Sequence, residues 1–221
     1  MAIKLLIFDL DGTLVDSKLD LALAVNATRL HFDLPLLDNE LVSSYVGNGV
    51  QVLMRKALGA DWGEAELQKA LEYFLGYYRD HMLDHTTLYP GVGESLERLK
   101  ALGLQMAVLT NKPVRFSGDI LAGLGVGGYF FRVYGGNSFE QKKPDPTGVH
   151  RLMAECRVSQ AETMIVGDSA VDVRTARNAG VAVCGVTYGF QPESLAQEEP
   201  DFVVDRLEQL AERISTGETQ S

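Results

Sequence analysis

Cysteine is scarce in this chain: Cys156 and Cys184 are the only two in 221 residues, too few for a disulfide scaffold. Cys184 stands in an apolar run, the usual setting of a small buried hydrophobe. Long apolar runs are missing too. The first stops at Asp9 after a few residues, so no signal peptide is expected, and none approaches the ~20 residues that a bilayer span requires. Positive charge is short as well, with 20 Lys and Arg against 30 Asp and Glu and a formal net charge of −10. Phosphate backbones and anionic membranes are held by basic patches, so neither nucleic acid nor membrane is expected as a partner. A small anionic substrate stays open, because a local pocket with a cation and one lysine can oppose the global sign. Repeats and low-complexity tracts are absent. A soluble, reducing, cytoplasmic setting is the expectation these shortages leave.

What is present is an ordinary globular composition, 46% hydrophobic and 23% charged, in a chain long enough to bury a proper core. The stretch that organises it comes first: Lys4-Leu5-Leu6-Ile7-Phe8-Asp9-Leu10-Asp11-Gly12-Thr13-Leu14-Val15-Asp16-Ser17. Its apolar run reads as a strand buried on both faces. Residues two apart in extended chain project to one side, so Asp9 and Asp11 are expected to leave the strand end together. Gly12 permits a sharp turn directly after them. Paired carboxylates are costly without positive charge between them, and a hard cation with oxygen ligands, Mg2+ above all, is the natural partner. The plainer reading of this stretch alone is an acidic strand end that meets water.

Beyond Ser17 the texture turns helical. From Leu19 to Tyr78 apolar residues recur three and four apart, as in Leu67, Leu71, Phe74, Leu75 and Tyr78, which predicts four or five helices inserted between the first strand and the rest. Leu88-Tyr89-Pro90-Gly91-Val92 punctuates the end of that insertion. Thereafter helices over about 93–102, 114–124, 147–155 and 171–179 alternate with strands over 105–110, 132–134, 163–166, 181–186 and 202–204. Such alternation predicts α/β architecture with a doubly wound parallel sheet, a Rossmann-like core. The expected division is a core of residues 1–15 and 88–214, an all-helical cap of residues 16–87, and a frayed polar tail over 215–221.

In open parallel sheets the working site lies beyond the carboxyl ends of the strands. The first strand delivers Asp9, Asp11 and Thr13 there; the second delivers Thr110-Asn111-Lys112-Pro113; the strand from Thr163 delivers Gly167-Asp168-Ser169-Ala170-Val171-Asp172. Lys142-Lys143-Pro144-Asp145-Pro146 stands just before a helix. Each piece alone has a plainer reading: Thr110-Asn111 as a helix cap, Gly167-Asp168-Ser169 as turn chemistry, Lys143 as a solvated lysine. Their joint order at strand ends is far harder to obtain by accident. Gly123-x-Gly125-x-Gly127-Gly128 follows a helix rather than a strand, which argues against a dinucleotide loop. His81 and His85 lack a third ligand in reach.

Asp9-x-Asp11-Gly12-Thr13, Thr110-Asn111, Lys143-Pro144-x-Pro146 and Gly167-Asp168 with Asp172 together resemble the four motifs of the haloacid dehalogenase superfamily. Within it, Val108-Leu109-Thr110-Asn111-Lys112-Pro113, Tyr134-Gly135-Gly136, Lys142-Lys143-Pro144 and Thr187-Tyr188-Gly189 resemble phosphoglycolate phosphatases. The resemblance implies Asp9 as a nucleophile that becomes an aspartyl-phosphate and Asp11 as general acid–base. It implies Mg2+ on the carboxylates of Asp9 and Asp168 and the backbone carbonyl of Asp11. Phosphate contacts are expected from Gly12, Thr110, Asn111 and Lys143, with Asp172 and Ser169 behind them. The helical insertion is expected to close as a lid, with hinges near Asp16-Ser17 and Thr86–Tyr89. Gly47, Asn48 and Gly49 are expected at its tip over the leaving group, and Arg55 more on the surface than on the substrate. A small phosphorylated metabolite, 2-phosphoglycolate first, is the expected partner, with oligomeric state, monomer or dimer, open. Another small-metabolite phosphatase or a sugar-phosphate mutase fits the same motifs; a phospho-aspartate receiver module fits the acids and lysine but not the length or the insertion.

Overall fold

The computed structural model describes residues 2–217. In chain order it contains β1 (Leu5–Phe8), β2 (Val15–Asp16), α1 (Lys18–His31), α2 (Asn39–Ser43), α3 (Val50–Leu58), α4 (Glu64–His81), β3 (Thr87–Leu88), α5 (Val92–Ala101), β4 (Gln105–Leu109), α6 (Val114–Gly123), β5 (Arg132–Tyr134), α7 (Thr147–Cys156), β6 (Thr163–Gly167), α8 (Ala170–Ala179), β7 (Ala182–Val186), α9 (Pro192–Gln197), β8 (Phe202–Val204) and α10 (Leu207–Thr216). Six strands form one parallel sheet in the order β5-β4-β1-β6-β7-β8. β1 lies at its centre because it has no polar side to show: Leu6 and Phe8 join the core on one face, Leu5 and Ile7 that on the other. From β1 the chain winds outward through β4 and β5, then returns to β6 and winds the other way. The direction reverses between β1 and β6, and a crevice opens there at the carboxyl ends.

Helices α1–α4 stand between β2 and β3, which pair antiparallel with Val15 opposite Leu88 and Asp16 opposite Thr87. Two-residue strands carry no readable periodicity, so this ribbon has no sequence signal. Asp20, buried in the first turn of α1, accepts from the His85 N–H (3.1 and 3.0 Å), the Thr86 N–H (2.8 Å) and the Thr86 hydroxyl (2.8 Å). Both connections of the insertion are thus tied side by side. Two helices escape the sequence reading, α9 and α10. The second buries Leu207, Leu210 and Ala211 and runs through Ser215 and Thr216, ending on a left-handed Gly217. The first three residues of the expected frayed tail therefore belong to this helix and its cap; 218–221 lie outside the described residues.

Candidate active site

Asp9 follows β1 directly, its N–H donating to the Val166 carbonyl in continuation of the sheet (2.9 Å). Its Oδ1 accepts from the Leu10 N–H (2.8 Å) and sits 3.1 Å from Lys143 Nζ, whereas Oδ2 forms no hydrogen bond among the described residues. The chain then turns. Gly12 adopts φ +82°, and a Cβ there would fall 2.2 Å from Asp168 Oδ2. Asp9 and Asp11 both reach the cavity described below, each with its own lysine. Asp9 faces Lys143; Asp11 faces Lys112, whose Nζ lies 2.9 and 3.0 Å from its two oxygens, with the Ser17 hydroxyl donating to one of them (2.5 Å).

Asp168 leaves β6 buried, accepting from the Phe190 N–H (2.7 Å) and the Thr13 hydroxyl (3.4 Å). Ser169 and Asp172 open α8 as a reciprocal cap, the serine N–H and hydroxyl both donating to Asp172 Oδ2 (3.2 and 2.7 Å). Ser169 thus steadies Asp172. The other Asp172 oxygen takes Lys143 at 2.7 Å. Thr110 continues β4, donating its N–H to the Tyr134 carbonyl (3.0 Å). The Asn111 side-chain amide is spent on the carbonyls of Gly47 (2.9 Å) and Lys143 (3.1 Å), which leaves its backbone N–H for a ligand. This loop approaches its neighbour so closely that a Cβ on Gly136 would lie 2.3 Å from the Asn111 carbonyl oxygen.

The insertion roofs the site. Gln191 Nε2 donates to the Val46 carbonyl (2.6 Å), and the Tyr78 hydroxyl of α4 accepts from Lys112 (2.7 Å). Beneath lies a cavity whose lining includes Asp9, Asp11, Thr110, Asn111, Asp168, Gly47 and Gly49. Asn48 is exposed and does not line it. Arg55 pairs with Glu64 on the exterior (2.5 Å), both side chains more than half exposed. Among the expected residues the structure brings together Asp9, Asp11, Gly12, Thr110, Asn111, Lys143, Asp168, Ser169, Asp172, Gly47 and Gly49. Sequence reasoning missed Lys112, Tyr78, Ser17 and the Phe190 N–H.

Burial dominates the electrostatics. It pushes the Asp9 carboxyl up to about 6; Lys143 opposes the push and Asp172 adds to it. Burial, then Asp172 and Asp9, hold Asp168 well above the carboxylate range. Burial alone would lower the ammonium of Lys143, but Asp172 and Asp9 outweigh it and hold it above an ordinary lysine. The same contest at Lys112 is won by Asp11 and Tyr78. Carboxylate oxygens of Asp9, Asp168 and Asp172 lie within 4.8 Å of one another, all three residues buried. Three buried acids against one lysine are short of positive charge, and their hard oxygens suit a divalent cation. The residues therefore fit one, with Asp9 and Asp168 as its holders, since Asp172 is already engaged by Lys143 and Ser169.

A stability prediction arises here. Asp9 and Asp168 are harder to ionise folded than unfolded, so the metal-free protein loses stability as pH rises from about 4 through about 6 and beyond. A cation binds the ionised acids, so its stabilisation grows over the same window. Thermal melts with Mg2+ or chelator at pH 5 and pH 7.5 check this: the Mg2+-induced rise in Tm is expected to be larger at pH 7.5. Asp168→Asn is expected to melt at or above the metal-free wild type and to show almost no such rise. A metal shift independent of pH would count against these carboxylates as the holders.

Residues 6–186 match a family described as Haloacid dehalogenase-like hydrolase. A phosphoglycolate phosphatase of Vibrio parahaemolyticus is 42% identical over 224 residues, covering 97% of each chain. One from Pseudomonas putida is 41% identical over 214 residues, covering 94% of this chain and 78% of that one. Among solved structures, one described as a predicted phosphoglycolate phosphatase from Haemophilus somnus 129PT superposes with a TM-score of 0.90 at 36% identity, covering 95% of this chain and 97% of that one.

Proposed function

The chain belongs to the haloacid dehalogenase-like hydrolases, and we propose that it hydrolyses a small phosphate monoester, 2-phosphoglycolate, to glycolate and phosphate with Mg2+. One observation carries this reading: Asp9, Asp168, Thr110 and Lys143 converge at the reversal point of the sheet, around a cavity roofed by the helical insertion. The curated relatives named above for that activity support the choice of ester.

The free Oδ2 of Asp9 attacks phosphorus in line, and the ester oxygen departs from the opposite side. Asp9 and Asp168 would hold Mg2+, which would lessen the repulsion between the attacking carboxylate and the phosphate dianion. Lys143 neutralises charge on the equatorial oxygens, joined by the Thr110 hydroxyl and the Asn111 backbone N–H. Asp11 gives a proton to the departing alkoxide and later takes one from the water that attacks the phospho-Asp9. Water is kept from the first step by the insertion, whose Val46–Val50 loop is fastened to Asn111 and Gln191 above the cavity.

The reading is tested by a phosphate-release screen over small phosphoesters with Mg2+ present or chelated; release that ignores chelation, or none from phosphoglycolate, sinks it. The role of Asp11 has its own test. Asp11→Asn is expected to cost about 10²–10⁴-fold on alkyl esters and far less on an aryl phosphate, whose leaving group departs without a proton. Equal losses on both would remove Asp11 from the proton transfer.

A further inference from the structure

Among the described residues that line the cavity, Lys112 is the one basic side chain. It is 7% exposed, and its ammonium is spent on Asp11 Oδ1 and Oδ2 (2.9 and 3.0 Å) and on the Tyr78 hydroxyl (2.7 Å). Tyr78 is fixed in turn, stacked on Phe74 and edge-on to Phe116. Lys143 is committed at the phosphoryl end to Asp9 and Asp172. The wall away from the acids is hydrocarbon: Leu21, Val46, Val50, Leu53 and Phe74. An anionic group on the leaving side of a substrate therefore finds in Lys112 the one ammonium of the cavity lining; Lys142 stands at the edge, its Nζ 3.1 Å from where a Cβ on Gly49 would lie. Asp11, meanwhile, has both oxygens on Lys112 and a bond from Ser17, so neither is free to face an ester oxygen.

We propose that Lys112 determines specificity by exchange: the carboxylate of the leaving group takes the ammonium, and Asp11 is released from it toward the ester oxygen. The inference rests on the phosphoglycolate reading and deepens it. Replacing one carboxylate by another on the same ammonium keeps the count of charge-assisted bonds, and the desolvation of Lys112 is already met by the fold. A neutral leaving group of the same size brings no replacement. It lacks the ion pair, and it leaves Asp11 clasped. Discrimination thus arises in binding and in turnover together, on the order of 10³-fold in kcat/KM.

The experiment compares 2-phosphoglycolate with 2-hydroxyethyl phosphate, in which a neutral hydroxymethyl group stands where the carboxylate was, on wild type, Lys112→Met and Lys112→Arg with saturating Mg2+. Wild type is expected to favour phosphoglycolate by about 10³-fold. Lys112→Met is expected to lose most of that factor on phosphoglycolate and no more than about tenfold on the neutral ester, and Lys112→Arg to recover part of the preference through its retained charge. Should Lys112→Met fail to fold, Lys112→Gln offers the same comparison with a head that still donates to Asp11. Equal losses on both esters would overturn the exchange and reduce Lys112 to a support for Asp11. A wild type that favours the neutral ester overturns the substrate reading itself, and that is visible before any variant is measured.

Discussion

Asp9→Asn is expected to abolish phosphate release, by on the order of 10⁴–10⁶-fold, the scale seen when a covalent nucleophile is removed, while the protein stays folded. An amide oxygen cannot form the acyl phosphate that a carboxylate oxygen forms. The rest of the pocket is little disturbed: the amide oxygen can still accept from the Leu10 N–H, and Lys143 keeps Asp172. Stability is expected to move the other way from activity. Burial pushes Asp9 up to about 6, so the folded protein carries a cost for its charge that is absent near pH 4 and grows through pH 6. A neutral side chain escapes that cost, and the metal-free variant should melt at or above the wild type at pH 7.5 and show no such gain near pH 4. Rapid quench of the wild type, or trapping with beryllofluoride, should mark Asp9 alone. A mark on another side chain, or an Asp9→Asn enzyme within tenfold of wild type, would end the proposal.

Much of this site was legible because its residues sit where local rules place them. β1 announces a doubly buried strand by its unbroken apolar run, and a buried parallel strand must deliver its next residue to the crevice; Asp9, Thr110 and Asp168 follow from that alone. Asp172 enters through the resemblance, and the structure adds that it opens α8 as a reciprocal cap with Ser169. What failed were the long-range pairings. Lys112 stands in the segment that the second long strand delivers, but nothing local sets it against Asp11, 101 positions away, and Tyr78, 34 away. Tyr78 has the helical spacing of a core residue and is one, 1% exposed; spacing says nothing of what its hydroxyl meets. Asp9 and Asp11 share the cavity, but their spacing says nothing of the separate lysines, Lys143 and Lys112, that they meet there. The pattern predicts Asn48 at the cavity with its neighbours, but Gly47 and Gly49, both with positive φ, flank it and it is exposed.

Lys143→Met tests whether that lysine holds the acids together or only touches substrate. Its ammonium is the one cation against Asp9, Asp168 and Asp172 among the described residues, at 3.1 Å from Asp9 and 2.7 Å from Asp172. Two like charges at the 4.8 Å that bounds this cluster repel by about 3 kcal/mol at an effective dielectric of ~20. Loss of one partner from a buried ion pair costs about 3–5 kcal/mol, so a marked fall in Tm at pH 7.5 is expected, with activity down by about 10³-fold or more as equatorial charge on the phosphoryl group goes unopposed. The sign with pH separates charge from packing. Protonation relieves the repulsion, so the gap in stability from wild type should shrink toward pH 4.5; a gap of constant size would mean that the lysine stem, not its charge, was missed. Mg2+ gives the second separation. It would restore positive charge among the acids and should recover much of the lost Tm, yet it would not replace the Lys143 ammonium beside Asp9 and Asp172, so turnover should stay low even at saturating metal.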